Sequence, residues 1–372
     1  MQTISKTHKY DIQPLRSEKV ERLYEEAVEV LKTLIRIPSL SGNEDRTAEI
    51  IENWLKRWSI PVRRSDNNVW AVNANFDENK PTFLLNSHHD TVKPNANYTR
   101  DPFEALVEEG KLYGLGSNDA GGCLVSLAAT FIYFYDRENI HYNIVFVASA
   151  EEESSGSLGL NSVLDQIPAI EFAVVGEPTE LNLAIAEKGL LVLDGTTKGT
   201  SGHAAHCYDD MAIYNFMESL KWFRDFEFDR VSDTLGTTKM TVTQIQAGKQ
   251  HNVVPGVCSF VVDVRVTDAY TNEEIVATIQ EQLPAHTEVT PRSMRLRSSS
   301  IPKNHPLVEA GIRLGKETYG SPTLSDQSVL SCPSLKVGPG DSKRSHTADE
   351  FIFLDEIKAG ISLYIQIIET IL

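Results

Sequence analysis

The sequence predicts an α/β protein: a mainly parallel, doubly wound sheet with helices on both faces, carrying a smaller inserted α+β domain. Three observations predict it. Four short apolar runs, TFLL (82–85), IVFVASA (144–150), FAVV (172–175) and LKV (335–337), have the length and character of buried parallel strands. Helical patterns alternate with them, as in a wound sheet. Between about 187 and 295 the order becomes β-α-β-β-α-β, that of a ferredoxin-like unit. The 372 residues suit two domains, read here as 1–186 with 296–372, and 187–295.

The elements follow in order. Val20, Leu23, Ala27, Val30, Leu31 and Leu34 recur at helical spacing, so a first helix spans about 17–35 and stops before Pro38. A second helix covers about 44–58, and strands follow at 69–74 and 82–85. The turn Gly114-Leu115-Gly116 leads to Asp119 and to an apolar helix over 121–136. Strands at 144–150 and 172–175 come next. The inserted block reads as strand 190–197, helix 209–226, strands 240–245 and 259–266, helix 272–283 and strand 288–296. Helices over about 306–318 and 355–371 return the chain to the first domain.

Composition narrows the function. The net charge of −17 argues against a nucleic-acid partner, which needs a basic footprint. Cys123, Cys207, Cys258 and Cys332 are scattered with no CxxC pair, so neither a disulfide framework nor a thiolate zinc site is indicated. The N-terminal MQTISKTHKYDIQPL has no apolar core of signal-peptide length, and no run reaches the length of a membrane helix. A reducing cytoplasm, with no membrane partner, is the expectation.

Each apolar run leads into a residue that binds metals: His88 and Asp90, Glu151 to Glu153, Glu177, and His346 beyond Gly338-Pro339-Gly340. Ligands of open α/β sheets gather beyond the carboxyl ends of the strands, so remote segments deliver these groups to one place. His88 and Asp90 lie two apart at a strand end and point the same way, which fits a ligand and the carboxylate that orients it; H-x-D alone reads also as a polar strand end. His89 points away. Asp119 alone reads equally as a helix N-cap, and it occupies the place where a dinucleotide fingerprint needs glycine. Acidic triplets are usually solvated. Three carboxylates at the end of a buried strand instead call for a cation or raised pKa values, which suits metal binding or general-base work. Asp349 and Glu350 could cap the final helix.

Taken together, SHHDTV, GLGSNDAGG, AEEESS, GEPTE and SHTADE resemble the acetylornithine deacetylase and succinyl-diaminopimelate desuccinylase family of two-zinc hydrolases. GEPT and HTADE look most like its acetylornithine and acetyl-lysine deacetylase branch. The resemblance implies that His88 and Glu177 hold one divalent ion, Glu153 and His346 a second, and Asp119 both, with a cis peptide after Asp119. It makes Glu152 the general base and Asp90 the partner of His88. The 24 positions between Glu153 and Glu177 (177 − 153) resemble the branch's spacing, and a pair at Glu151 and Glu152 is the other register left open. Gly202-His203-Ala204-Ala205 resembles the family's lid histidine, which reaches the partner subunit's site in dimers. Asn252, Arg265 and Gly340 resemble its substrate contacts.

The implied cofactors are two Zn2+, with Co2+ or Mn2+ as other metals. The implied activity is hydrolysis of N2-acetyl- or N2-succinyl-ornithine to ornithine and a carboxylate, in arginine biosynthesis, by a homodimer joined through the inserted domain. Acetyl-lysine deacetylation and dipeptide or aminopeptide cleavage are the alternatives, and the residues leave the acyl group and the choice of ornithine or lysine open.

Overall fold

The computed structural model describes Leu15, residues 17–206 and residues 208–372. The rest of the N-terminal stretch read above, and Cys207, lie outside the described residues. The chain forms two compact units, the first running through Ile185 and resuming over Ile301–Tyr319 and Ser325–Leu372, the second comprising Ala186–Ser300 and Gly320–Leu324.

The first unit is built on a mixed sheet. Its strands lie in the order Arg63–Ser65, Asn68–Val72, Asn143–Ser149, Thr82–His88, Ile170–Val175, Ser334–Lys336 and Leu183–Glu187. The apolar runs form its parallel centre: Thr82–His88 pairs in parallel with both Asn143–Ser149 and Ile170–Val175, and the latter with Ser334–Lys336. Every residue of Thr82–His88 and Asn143–Ser149 is buried, as two-sided packing requires. The flanking pairs are antiparallel.

Alternate residues face two different cores. Phe83, Leu85, Ile144, Phe146, Phe172 and Val174 pack in the larger one with helices Glu18–Ile35, Gly122–Phe134 and Leu354–Glu369. Leu84, Val145, Val147, Ala173 and Val175 face the smaller one. That face is covered by Leu160, Val163, Ile167 and Leu330 from short turns, where the sequence predicts helices on both faces. The covering chain, SSGSLGLNS (154–162), is too rich in serine and glycine to propagate a helix.

Other differences have local causes. The helix expected to reach 318 ends at Arg313, because Gly315 adopts φ +76° and Thr318–Ser321 is a strand. The strand expected to reach 296 ends at Pro291, although Arg292 N still donates to Val192 O at 2.9 Å. A small sheet of Leu106–Glu108, Lys111–Tyr113 and Phe351–Phe353 has strands only three residues long, too short for a sequence pattern. It ties the segment after His346 to the glycine turn at 114–116, and Gly114 N donates to Glu350 O at 2.9 Å.

The second unit has an antiparallel sheet in the order Lys239–Ala247, Val257–Val266, Gly189–Lys198, Thr287–Pro291. Helices Ala212–Asp225 and Asn272–Gln282 complete a β-α-β-β-α-β order. Leu191, Leu193, Phe216, Phe223, Phe260, Val262, Val264, Ile275 and Ile279 form its own core. The helix at Asn272 starts at a capping box, Thr271 with Glu274.

Candidate metal centre

The register of the parallel strands sets the site. His88 lies opposite Ser149, Asn86 opposite Val175, and Lys336 opposite Val175. The residues that follow therefore emerge at one edge of the sheet, beyond the carboxyl ends.

Three of them, His88, Asp119 and Glu153, bring ligand atoms within 4.8 Å of one another. His88 Nε2 is 3.5 Å from Asp119 Oδ1, 3.7 Å from Glu177 Oε1 and 3.9 Å from Glu152 Oε2. His346 Nε2 is 3.0 Å from Glu153 Oε2 and 3.5 Å from Asp119 Oδ2. Each carboxylate oxygen of Asp119 thus faces a different imidazole. Asp119 is joined to Ala120 by a cis peptide.

The geometry fits a metal pair. His88 Nε2 is buried without a hydrogen-bond partner. Asp119 Oδ1, at 3.5 Å, stands at the separation of donors sharing an ion, and Glu177 Oε1, at 3.7 Å, just beyond it: bonds of about 2.0–2.2 Å at tetrahedral angles put donors roughly 3.3–3.6 Å apart. The electrostatics agree. Burial, together with the neighbouring Glu177 and other acids, pushes the Glu152 carboxyl well up. Burial pushes Glu177 up to about 8, and Glu153 pushes His346 up to about 9. Glu152, Glu177 and His346 hold their protons tightly, whereas His88 holds Asp119 below the usual carboxylate value against the effect of burial. Two imidazoles and three carboxylates suit zinc or a similar divalent ion.

Asp90 organises this edge. Its carboxylate accepts from Ser41 Oγ at 2.7 Å and from the backbone N–H groups of Glu152 and Glu153, both at 3.1 Å. One of its oxygens lies 3.3 Å from His88 Nδ1. Burial works against the charged form, yet His88 and Ser41 hold its pKa below the usual carboxylate value. The Glu151 side chain turns elsewhere and accepts from Leu158 N at 3.0 Å. His89 does point away: its ring nitrogens meet Thr47 Oγ1 and Asn67 O, each at 2.9 Å.

Sequence reasoning missed four polar side chains here. Besides Ser41, the buried Glu44 accepts from Gly42 N and Glu151 N. Glu350 does not cap the final helix, whose first N–H groups are served by Glu356 on Phe353 N. It is buried and accepts from the backbone N–H groups of Gly116, Asn118 and Asp119 at 3.3, 2.8 and 3.0 Å. Asp349 is no cap either, and accepts from Thr99 N and Arg100 N. The fourth, Asp326, is buried and accepts from Ser149 Oγ. The only signal for these residues would have been the glycine turns and strand ends they tie down.

The remaining candidates lie apart in sequence. Gly340 has φ +94°, and a Cβ there would meet Asn118 Oδ1 at 2.5 Å. His203 and Asn252 belong to the second unit, where a two-stranded ribbon, Gly202–His203 with Val253–Val254, sets them close together, and Ala204 N donates to Asn252 O. Arg265, also in the second unit, forks onto Asp263 at 2.9 and 3.1 Å.

Comparison with known proteins identifies the family. Residues 84–370 match the model of peptidase family M20/M25/M40. An acetylornithine deacetylase of Shigella sonnei is 25% identical, the match covering 92% of this chain and 96% of that protein. A succinyl-diaminopimelate desuccinylase of Blochmanniella pennsylvanica is 27% identical, over 94% of this chain and 99% of that protein. Among solved structures, an aminopeptidase of Bacillus cereus superimposes with a TM-score of 0.72 at 18% identity, covering 95% of this chain and 98% of its own. A dinuclear metal-binding peptidase of Bacillus subtilis gives 0.71 at 15% identity, covering 94% and 99%. At such identities these structures speak for the fold alone.

Proposed function

This chain belongs to peptidase family M20/M25/M40 and is a metal-dependent hydrolase; on that premise we propose that it cleaves the amide bond of an N-acyl amino acid, N2-acetyl- or N2-succinyl-ornithine before others. The observation that carries the reading is the position of Glu152. Its carboxylate stands 3.9 Å from His88 Nε2, beside the cluster, with its backbone held by Asp90. That is where a general base must sit to reach a water at the ions. The nearly full-length similarity to proteins named deacetylase and desuccinylase supports the acyl-amino-acid class.

In this reading His88 and Glu177 would hold one ion, Glu153 and His346 would hold the other, and Asp119 would contribute to both. Zinc is the first choice of metal. When bound, such ions make water acidic enough to lose a proton near neutral pH and polarise the substrate carbonyl. Glu152 takes the proton from the attacking water and returns it to the leaving nitrogen. Asp90 keeps the His88 ring turned so that Nε2 faces the cluster. His203 is assigned to the carbonyl oxygen, and Asn252, Arg265 and Gly340 to the amino-acid part. Arg265 would exchange Asp263 for the substrate carboxylate, which matches its fork equally well.

The second unit is proposed as a lid and as the seat of a homodimer, in the cytoplasm. Its outer strand, Lys239–Ala247, exposes Ile245, and the Ala212–Asp225 helix exposes Ile213, Tyr214 and Met217, an apolar surface suited to a second copy. Peptide cleavage is the competing activity, favoured by the peptidase family whose model the chain matches. The deciding experiment is a panel of N2-acetyl- and N2-succinyl-ornithine, N2-acetyl-lysine, dipeptides and tripeptides, each with a chelator control. Chelator-sensitive turnover of an acyl-ornithine above all peptides supports the proposal, and preference for a peptide rejects it.

A further inference from the structure

Asp326 opens a short turn, Asp326–Val329, and only 7% of it is exposed. Ser149 Oγ donates to its Oδ2 at 2.5 Å. The Asn86 amide, turned so that both its ends are paired, donates to the same oxygen at 3.2 Å. These two donors stand on neighbouring parallel strands, near their carboxyl ends. Asn86 precedes His88 by two residues, and Ser149 is both the direct strand partner of His88 and three residues before Glu152. One carboxylate therefore clasps the two strand ends that carry a metal ligand and the base. The turn is itself anchored, since Gln327 Nε2 donates to Ser334 O and Oγ, both at 2.8 Å. A buried acid held by two neutral donors is a costly way to fill space that an apolar side chain could occupy. The arrangement makes sense as a device for position.

We propose that Asp326 is a positioning residue for hydrolysis: through Ser149 and Asn86 it sets the separation of His88 and Glu152, and so the distance over which Glu152 moves its proton. This rests on Glu152 being the base, as proposed above. A misplacement of a reacting group by about 1 Å can lower a rate by on the order of 100-fold.

The test uses the full-length, zinc-loaded protein and measures kcat, KM and bound zinc for Asp326→Ala, Ser149→Ala, the double variant and Asp326→Asn. Asp326→Ala and Ser149→Ala should each lower kcat by about 10-fold or more, with KM and zinc content unchanged. The double variant should be no worse than the poorer single, because Ser149 acts through its contact with Asp326, which Asp326→Ala already removes. Asp326→Asn keeps an acceptor for Ser149 and should return kcat to within about 3-fold of the parent. Unchanged kcat in Asp326→Ala, losses confined to zinc content or folded fraction, or effects that multiply would each overturn the proposal. If Asp326→Ala does not fold, Ser149→Ala and Asp326→Asn decide it. Glu152→Ala measured alongside separates the two readings. Full turnover there removes the base and this proposal with it; an inactive Glu152→Ala beside an unimpaired Asp326→Ala removes this proposal alone.

Discussion

Glu350 accepts the backbone N–H of Asp119 at 3.0 Å, across 231 positions of sequence. The loop that carries His346 thereby grips the turn that carries Asp119, so the two sides of the cluster are set by one buried carboxylate. Burial and the nearby Asp119 push Glu350 up to about 8, and three backbone N–H groups work in the other direction.

Replacing Glu350 with alanine leaves those N–H groups without their acceptor and frees the turn. Metal affinity should fall by about 10–100-fold, the usual effect of losing a group that orients ligands. Glutamine keeps one acceptor oxygen and should lose less. Competition with a chromophoric chelator measures both, and parental affinity in Glu350→Ala would contradict the clamp.

Glu152→Ala should keep its metal and lose about 100- to 10,000-fold in turnover, the range expected of a general base. Metal analysis alongside steady-state rates makes the comparison. Loss of metal in step with activity would make Glu152 a ligand instead.

Gly340→Ala tests the tight loop beside Asn118. The new Cβ would meet Asn118 Oδ1 at 2.5 Å, at a φ of +94° that alanine rarely adopts. It should disturb the Asn118 pairing with Asp341 N and O and cost about 1–3 kcal/mol in urea unfolding. Gly110→Ala is the control, with φ +75° and nothing within 4 Å of its Cβ. Equal losses in the two variants would show that backbone strain alone accounts for the effect.

His89 supplies a pH dependence. Burial lowers its pKa from 6.5 to about 4. Between those values the unfolded chain binds the proton and the folded one does not. Its contribution is therefore fully present above about pH 6.5 and is lost as pH falls toward about 4, up to about 3 kcal/mol. Glutamine at 89 can meet Thr47 and Asn67 without titrating. The stability difference between parent and His89→Gln should shift against the parent between about pH 7 and about pH 5 in urea titrations. A difference independent of pH would refute the assignment.

The parts of this molecule legible in its sequence are those where one segment carries the whole signal. TFLL, IVFVASA and FAVV are apolar on both faces and can only be buried strands, and the acids and imidazoles that follow them mark the sheet edge. Ser41, Glu44, Asp326 and Glu350 stayed hidden because their partners (the Asp90 carboxylate, backbone N–H groups and the Ser149 hydroxyl) stand on remote segments, which leave no spacing pattern. Glu44 sits just before one helix and Glu350 shortly before the last, where an acid reads as an end-of-helix charge. The short-turn cover over Leu84 and Val145 was equally silent, since Leu160, Val163 and Ile167 show no helical period long enough to read.

The most direct measurement is anomalous diffraction at the zinc edge from crystals of the zinc-loaded protein. Two peaks are expected, one among His88, Asp119 and Glu177 and the other among Glu153, Asp119 and His346. An absence of ordered zinc there, or zinc held by other residues, would contradict the account.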